Sequence, residues 1–292
     1  MNSSDMINLK KASEIARKVK EYAKSIIKKD ALLVEIAEKI EAKIEELGGK
    51  PAFPVNLCMN DIAAHSTPAL DGKETAKNLL KVDIGVSVEG SIVDFAFSLD
   101  LSEEGKYKKL VEASEEALKE ALKVIKKDVE LWVIGKAIQE KIMSFGFSPI
   151  RNLSGHSLGQ YTIHAGLTIP NYNNNNSSKL LEGIYAIEPF ATLGEGVVQD
   201  GKPSRIFRLN ERKGVRGMKA RKILEFIEKE YKTLPFCERW IEKLFPSCKF
   251  VLSLLVKEKI LHEYPQLIEK SRKEVSQAET SVIINEKVEV LC

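Results

Sequence analysis

The chain carries an internal duplication, and this restricts its fold more than any other feature of the sequence. Residues 27–51 align without a gap with residues 125–149, an offset of 98 positions. The identical positions, numbered in the first copy, are Ile27, Lys28, Lys29, Asp30, Leu33, Ile36, Ile40, Lys43, Ile44, Gly48 and Pro51. This pattern predicts a helix that Asp30 caps, that has an isoleucine stripe, and that ends at a glycine. Because cap, stripe and terminator recur together, we infer two related halves of the chain.

Each half also has a histidine followed by an acid within a strand. The pairs are His65 with Asp83, and His164 with Glu188. A unit of about 100 residues is too long for a solenoid repeat. We therefore predict an α+β protein in which helices, two of them near residues 8–28 and 31–48, cover one side of a mainly antiparallel sheet. Two halves that face each other would form a cleft at their pseudo-twofold axis.

Two aspartates lie in adjoining strand-like runs, on either side of Glu89-Gly90. That dipeptide is typical of a two-residue hairpin loop, and it predicts pairing of Asp83 with Ala96. Asp94 is then two residues from Ala96 on the same face, so both carboxylates point to one side of the hairpin. Acids among apolar residues are costly to bury unless a cation holds them. The alternative is a solvated face with two incidental acids, and a one-residue bulge would break this geometry.

The composition is that of an ordinary globular protein. The 292 residues are 43% hydrophobic and 30% charged, enough for one large domain or two small ones. The apolar stretches are far shorter than a membrane span, and the N-terminus shows no secretory signal. A net charge of +3 from 45 basic and 42 acidic residues does not argue for nucleic acid as a partner. The four cysteines lack close metal-ligand spacing, so we expect free thiols and a cytoplasmic location.

The stretch 196–264 does not fit the duplication. Its apolar periodicity predicts three helices, near residues 218–230, 236–244 and 250–258. Residues 265–292 return to strand character. We therefore predict a catalytic domain made of residues 1–195 and 265–292, interrupted by a helical insertion at 196–264. The Lys/Arg-rich surface of this insertion is interpreted as a solvated face.

Five residues together suit a pair of divalent ions that share bridging carboxylates: Asp83, Asp94, His156, Glu188 and Glu279. Oxygen-rich ligation with one nitrogen favours Mn, Fe(II), Co or Zn over a structural zinc bound by thiolates. Each residue has an alternative interpretation. Glu188 could be a strand-end acid before Pro189, and Glu279 could face solvent. Of the histidines, His262 is expected at the surface of the helical piece.

Several segments carry a resemblance to a known family: Pro51-Ala52-Phe53-Pro54-Val55-Asn56, Ile62-Ala63-Ala64-His65, Lys81-Val82-Asp83-Ile84-Gly85-Val86, Leu153-Ser154-Gly155-His156-Ser157, Ile163-His164-Ala165-Gly166, Ala186-Ile187-Glu188-Pro189-Phe190, Thr233-Leu234-Pro235-Phe236 with Arg239-Trp240, and Tyr264-Pro265. In this order they resemble the type II methionine aminopeptidases, and the short N-terminus resembles archaeal members. The resemblance covers essentially the whole chain. It implies the pita-bread fold, a dinuclear metal site and removal of the initiator methionine from nascent proteins.

The resemblance also implies roles for individual residues. The metal ligands would be Asp83, Asp94, His156, Glu188 and Glu279, with Asp94 and Glu279 bridging two ions. His65 and His164 would contact the substrate and, with Glu188, form the catalytic set. Phe53, Ile163 and, from the insertion, Tyr264 would line the methionine pocket. The implied partners are nascent polypeptide N-termini, and ribosome association is compatible with that substrate. We expect a monomer with no membrane or specific nucleic-acid partner.

The chain departs from the family pattern at two places. Around the last ligand the family usually reads Phe-Glu-His-Thr, whereas this chain reads Gln277-Ala278-Glu279-Thr280-Ser281. The glutamate is kept and the histidine is not, and Glu274 would be a poor substitute ligand. Where the family often has a pocket histidine, this chain has Arg205 or a neighbour.

Two rival functions remain open from the sequence. One is a proline-specific aminopeptidase or dipeptidase of the same fold, although such enzymes normally carry a large N-terminal domain. The other is a non-enzymatic binding module on the same scaffold, of the kind that has lost its metal ligands. Competent residues at all five ligand positions favour an enzyme.

Overall fold

Residues 3–292 are described by the computed structural model, and they form an α+β structure. The helices are α1 (Ser3–Ile26), α2 (Leu33–Glu46), α3 (Lys108–Val124), α4 (Leu131–Ser144), α5 (Met218–Glu230), α6 (Glu238–Leu244) and α7 (Lys249–Lys257). The strands of the first half are β1 (Lys50–Pro51), β2 (Asn56–Met59), β3 (Ile62–Ala64), β4 (Asn78–Val88) and β5 (Ser91–Leu101). The later strands are β6 (Ser148–Pro149), β7 (Ser154–Leu158), β8 (Thr168–Pro170), β9 (Gly183–Ile187), β10 (Phe190–Thr192), β11 (Val198–Leu209), β12 (Phe236–Cys237), β13 (Leu261–Glu269), β14 (Val275–Gln277), β15 (Thr280–Ile284) and β16 (Val288–Val290). None of the helices in this described range is long and apolar enough to span a bilayer.

The duplication is visible in the structure at the same offset. Helices α2 and α4 begin and end 98 positions apart, and so do the short strands β1 and β6 that follow them. Gly48 and Gly146 come just after these helices with φ of +84° and +81°. This left-handed conformation is nearly free of strain only for glycine, which is why the same residue terminates both helices.

The predicted cap of α2 is wrong. The residue that precedes the helix is Leu32, and no side chain caps the first turn. Asp30 and its counterpart Asp128 are instead in the left-handed region, with φ of 66° and 63°. Their backbone N–H groups bind the carbonyls of Ala76 and Leu180. The duplicated aspartate therefore forms a tight turn before the helix, a conformation that Asp tolerates better than most residues.

The predicted hairpin register is confirmed. Asp83 pairs with Ala96 and Gly85 with Asp94 across β4 and β5, with no register shift along the ladder. In the loop, Glu89 and Gly90 have φ of 47° and 84°, as a type I′ turn requires. Alternate residues of the two strands pack under α1 and α2, in a core formed by Leu80, Val82, Ile84, Val86, Val93, Phe95, Phe97 and the isoleucines of α2. The aspartates lie on the opposite face, because side chains alternate along a strand.

The second half repeats this arrangement. Strand β9 pairs antiparallel with β7 and β15, and the apolar stripe of α4 packs against Tyr185 and Ile187 of β9. Ala96 of β5 and Glu279 join the halves by two backbone hydrogen bonds, of 3.3 and 2.9 Å. The mainly antiparallel sheet with two related halves is therefore as predicted.

Helices α5, α6 and α7 lie close to the positions predicted for them, and they share a separate apolar core. They do not make up the whole stretch 196–264. Strand β11 pairs with β13 and β12, and β13 in turn pairs with β3 of the first half. The interpretation as mostly helical missed this β-ribbon. The predicted boundary between the insertion and the catalytic domain at residue 264 falls inside β13, which runs continuously from Leu261 to Glu269. That boundary stays a prediction.

Candidate metal centre

A cavity of about 420 Å³ opens on the face of the sheet that the helices leave uncovered. All ten residues predicted for the site line it: Phe53, His65, Asp83, Asp94, His156, Ile163, His164, Glu188, Tyr264 and Glu279. They come from the segment between β1 and β2, from the residue after β3, from the hairpin β4–β5, from β7 and the loop after it, from the residue after β9, from β13 and from the segment between β14 and β15. The structure thus brings together residues that lie up to 226 positions apart, although their roles remain predictions.

Three of the five predicted ligands form a compact group. One potential ligand atom each of Asp94, His156 and Glu279 lies within 4.8 Å of the other two. These side chains belong to residues that are only 3, 6 and 2% exposed. Glu188 adjoins the group, since its Oε1 is 3.6 Å from His156 Nε2. Asp83 lines the same cavity from the neighbouring strand without joining the group of three.

The carboxylates of the cavity lack the hydrogen-bond partners that would satisfy them in the absence of a cation. Asp83, Asp94 and Glu279 each have a buried oxygen with no hydrogen-bond partner. Burial raises the pKa of Asp83 to about 7. Burial, followed by repulsion from neighbouring carboxylates, raises the pKa of Asp94, Glu188 and Glu279 well above the ordinary value. Buried, unpaired acids of this kind are either protonated or held by a metal, so the residues present fit a divalent ion.

His156 offers the nitrogen that such a site needs. Burial, and then the nearby His164, lower the pKa of His156 to about 3, so the imidazole is neutral. A neutral imidazole has a free lone pair for a metal. Its Nε2 faces Glu188 Oε1 and, at 3.9 Å, Asp94 Oδ2. The ring of His164 packs edge-on against it with centroids 4.5 Å apart.

Glu279 takes part in the cavity, and Glu274 does not. Glu274 accepts a hydrogen bond of 2.6 Å from the Tyr107 hydroxyl, away from the other carboxylates. Thr280, at the position where the family usually has histidine, donates a hydrogen bond to the carbonyl of Cys292. Alternation along the strand turns Thr280 away from the cavity while Glu279 points into it. The loss of that histidine therefore leaves the candidate ligand in place.

The sequence interpretation missed Gln277. Its side chain is buried, and Nε2 donates a hydrogen bond of 3.1 Å to Glu279 Oε2. A hydrogen bond from Gln277 also partly offsets the rise in the pKa of Asp83. One neutral amide thus contacts two of the carboxylates. In the extended stretch that joins β14 to β15, a spacing of two residues puts Gln277 and Glu279 on one face, and this signal was available in the sequence.

The sequence interpretation also missed Asn171, which begins the polar, asparagine-rich stretch 171–178. The side chain is fully buried, and Nδ2 donates to the backbone carbonyls of Leu153 and Glu188, each at 3.1 Å. It therefore ties the end of β9, where Glu188 projects, to the segment before β7. The asparagines that follow it form an exposed loop.

His65 is held in an unusual conformation at the edge of the cavity. Its φ is 58°, and Nδ1 lies 3.2 Å from the carbonyl oxygen of Pro265. Because a carbonyl can only accept, Nδ1 carries the proton and Nε2 is left as an acceptor. Burial lowers the pKa of His65 to about 4, so the neutral form dominates at pH 7. Its ring lies 5.1 Å from that of Tyr264.

An apolar pocket adjoins the carboxylates. Phe53 and Ile163 belong to a buried cluster with Leu158 and Leu234. The Phe53 ring lies directly over Gly85, where an added Cβ would come within 2.3 Å of it. A glycine in β4 is therefore what allows the aromatic wall to approach the sheet.

No histidine occupies the side of the pocket formed by β11. Arg205 is exposed with φ of 63°, and the next residue, Ile206, lines the cavity. The neighbour of Arg205 rather than Arg205 itself is thus the pocket residue.

A pita-bread arrangement of two α/β halves around buried carboxylates is the architecture of a metal-dependent peptidase. The sequence profile described as Metallopeptidase family M24 matches residues 7–220. The methionine aminopeptidases of Methanocaldococcus jannaschii and Pyrococcus abyssi are 42% and 44% identical to this chain. The alignments cover 94% of both proteins in the first case and 96% of both in the second. The chain therefore belongs to metallopeptidase family M24, within the group of the methionine aminopeptidases.

Solved structures share the fold at low sequence identity. A thermophilic Arx1 superposes with a TM-score of 0.86 at 15% identity, covering all of this chain and 91% of that one. Methionine aminopeptidase from Thermotoga maritima superposes with a TM-score of 0.69 at 21% identity, covering 100% of this chain and 97% of that one. Prolidase from Pyrococcus furiosus gives 0.63 at 18%, covering 99% of this chain and 64% of that one. These likenesses establish the pita-bread fold and no more.

Proposed function

We propose that this chain is a methionine aminopeptidase that removes the initiator methionine from nascent proteins, with two divalent ions bound by Asp83, Asp94, His156, Glu188 and Glu279. The observation that carries the proposal is the meeting of four carboxylates and a neutral imidazole beside an apolar pocket, with Asp94 and Glu279 buried and Asp83 and Glu188 half-buried. The full-length similarity to curated methionine aminopeptidases supports the same activity.

Charge balance supports two ions rather than one. Four carboxylates in a buried cavity would carry four negative charges, which two divalent cations neutralise. One histidine among oxygen ligands suits Co, Mn, Fe(II) or Zn. When bound, such ions supply a water of lowered pKa and polarise the peptide carbonyl.

The remaining chemistry is assigned to side chains of the cavity. Glu188 has a pKa raised by burial and by Asp94 and Asp83, a property that suits a group taking up and returning a proton near neutral pH. His164 is exposed at the cavity mouth, where it can donate a hydrogen bond to the carbonyl oxygen of the substrate. His65 Nε2, an acceptor, can bind a backbone N–H beside the scissile bond.

The apolar pocket is assigned to the methionine side chain. Phe53 and Ile163 form its walls, and Tyr264 reaches the same cavity from β13. A thioether adapts well to aromatic and branched apolar walls, because it is unbranched and polarisable. A free N-terminal amine would then lie next to the carboxylates, so only the first residue of a chain fits.

The substrate class defines where the enzyme would meet its partners. Initiator methionine is present on every newly made chain, so nascent N-termini are the proposed partner and the cytoplasm is the proposed location. Association with ribosomes would raise the local concentration of these N-termini. Co-sedimentation of the protein with ribosomes, compared at low and high salt, tests this extension.

Asp94→Asn tests the function directly. The change keeps the size of the side chain and removes one carboxylate of the compact group. We expect cleavage of a Met-Ala-Ser peptide to fall by about 100-fold or more in metal-loaded protein, together with loss of bound metal by elemental analysis. Wild-type activity in this variant would refute the dinuclear centre.

Two controls make the result specific. Glu89→Gln removes an exposed carboxylate at the tip of the same hairpin and should leave activity and metal content unchanged. Cleavage of Ala-Pro-Ala in preference to Met-Ala-Ser by the wild-type protein would instead indicate a proline-specific peptidase.

A further inference from the structure

A buried ion pair joins the helical insertion to the first half of the chain. Arg239 of α6 donates from Nη1 and Nη2 to the two oxygens of Glu41 in α2, at 2.7 and 2.8 Å. The Arg239 side chain is 0% exposed and that of Glu41 is 9% exposed. Trp240 Nε1 adds a hydrogen bond of 2.9 Å to the same carboxylate. Two parallel hydrogen bonds in a buried setting fix both the distance and the angle between the helices.

Glu41 also holds the segment that carries one wall of the apolar pocket. Its Oε1 accepts a hydrogen bond of 3.2 Å from the backbone N–H of Val55. Val55 lies two residues beyond Phe53, which forms that wall. The position of the aromatic ring is therefore connected to α2 through a single carboxylate.

Arg239 holds the loop that carries His65. Its Nε donates to the carbonyl of Pro68 at 3.3 Å, and Nη2 lies 3.5 Å from Thr67 Oγ1. This loop is fastened to the preceding segment, since Ser66 N–H donates to Asn56 Oδ1 at 3.0 Å. The guanidinium group thus contacts the His65 loop directly and the Phe53 segment through Glu41, and both of these segments line the cavity.

The insertion supplies the facing wall. Leu234 packs in the same buried cluster as Phe53 and Ile163, and Pro235 lines the cavity. Leu234 and Pro235 lie just before α6, only a few residues ahead of Arg239 in the first turn of that helix. The width of the pocket therefore depends on how α6 is placed against α2.

We propose that Arg239 is a positioning residue which, through Glu41, sets the width of the apolar pocket and so the preference for methionine over branched N-terminal residues. This inference rests on the proposed function. A pocket assembled from two separate pieces of chain discriminates between similar side chains only when the pieces keep a fixed distance. Arg239 does not touch the carboxylates of the metal centre, so it should affect selection of the substrate and leave the chemical step unchanged.

The test compares Arg239→Lys with wild type on Met-Ala-Ser and Leu-Ala-Ser peptides. Lysine keeps the positive charge but cannot make the bidentate hydrogen bonds with Glu41. We expect KM for Met-Ala-Ser to rise about tenfold with kcat within about twofold, and the Met/Leu ratio of kcat/KM to fall about tenfold. Bound metal should be unchanged. The double variant Glu41→Met/Arg239→Met, which leaves no unpaired charge, should lower the ratio further.

Two matched controls separate positioning from general weakening. Lys243→Met breaks the exposed Lys243–Glu38 contact of 2.8 Å between the same two helices and should leave the ratio unchanged. Leu252→Ala weakens the core of the insertion away from the pocket and should also leave it unchanged. An unaltered Met/Leu ratio in a folded Arg239 variant, or an equal shift in Leu252→Ala, would overturn the inference. Wild-type protein that cleaves neither peptide would refute the proposed function instead.

Discussion

One neutral side chain, Gln277, lies among the carboxylates of the proposed metal centre. Its amide binds Glu279 Oε2 at 3.1 Å and also stabilises the charged form of Asp83. The contact to Glu279 is made by the NH2 group, which only donates, so that group orients the acid without binding a metal itself. Side chains that orient ligands in this way contribute strongly to metal affinity even though they do not touch the ion.

Gln277→Leu should therefore weaken metal binding by about 10- to 100-fold, because two of the proposed ligands, Asp83 and Glu279, lose their fixed orientation. Isothermal titration with Mn²⁺ or Co²⁺ measures this directly. Gln160→Leu, at an exposed glutamine near the hairpin tip, is the control and should bind metal as wild type does. Equal affinities in the two variants would show that Gln277 has no such role.

His65 gives the protein a pH-dependent contribution to stability. Burial lowers its pKa from 6.5 to about 4, so between these values the unfolded chain binds a proton at His65 and the folded chain does not. Stability from this group is thus complete above pH 6.5 and is lost as the pH falls toward 4. His65→Gln should flatten the pH dependence of the unfolding free energy in that window by up to about 1.4 kcal/mol per pH unit.

Urea unfolding at pH 4.5, 5.5 and 7 measures this slope. His262→Gln changes an exposed histidine of the adjoining strand and should have a smaller effect. A slope in His65→Gln as steep as that of wild type would contradict the assignment.

At the scale of the elements, residues that are identical in the duplicated helices α2 and α4 have the same structural role in both. Both end at a glycine with φ above +80°, and both follow an aspartate in the left-handed region. The sequence alone led us to assign Asp30 as a helix cap, because that is the commonest task of an aspartate in this position. The left-handed turn was not predictable, since it depends on the backbone carbonyl of Ala76, which is far away in the sequence.

Gly48→Ala and Gly146→Ala should lower the unfolding free energy by similar amounts, about 1–2 kcal/mol each, because alanine is strained at positive φ. Crowding does not complicate the comparison. An added Cβ would meet only the end of Lys11, 3.6 Å away, in the first case and nothing within 4 Å in the second. Their effects should add, because the sites are independent.

Denaturant unfolding of the single and double variants checks this prediction. Gly214→Ala is the control, because its backbone is not left-handed and its surroundings are open. Markedly unequal losses at the two glycines would mean that the helix ends are not equivalent.

At the scale of the whole molecule, we expect the proposed metal centre to hold the two halves together. Asp94 belongs to the first half, His156 to the second, and Glu279 lies where their strands meet. A ligand that binds only the folded state stabilises it by about 2.7 kcal/mol at 100 times its dissociation constant. Adding metal to chelator-treated protein at pH 7.5 should therefore raise Tm by several degrees, on the order of 5–10 °C.

Glu279→Gln should reduce this rise in Tm substantially, and Glu89→Gln should not, as scanning calorimetry with and without metal can establish. An identical rise in Glu279→Gln would exclude Glu279 as a ligand, whatever the activity of that variant.

The sequence predicted the parts of the fold that depend on local pattern. The duplication, the register of the β4–β5 hairpin and the membership of the cavity all follow from periodicity, turn chemistry and family motifs. The sequence did not predict the β-ribbon formed by β11 and β13, nor the ion pair between Arg239 and Glu41. Both depend on contacts between distant segments, 198 positions apart for the ion pair, that leave no periodic trace in the sequence.

The bridge between Ala96 and Glu279 has a consequence for the synthesis of the protein itself. A ribosome delivers the hairpin with Asp83 and Asp94 long before it delivers Glu279, so the centre stays incomplete until the last strands are translated and close across the sheet. Such distant pairing is slow to form. The proposed aminopeptidase must therefore be inactive while it is itself still being synthesised on the ribosome.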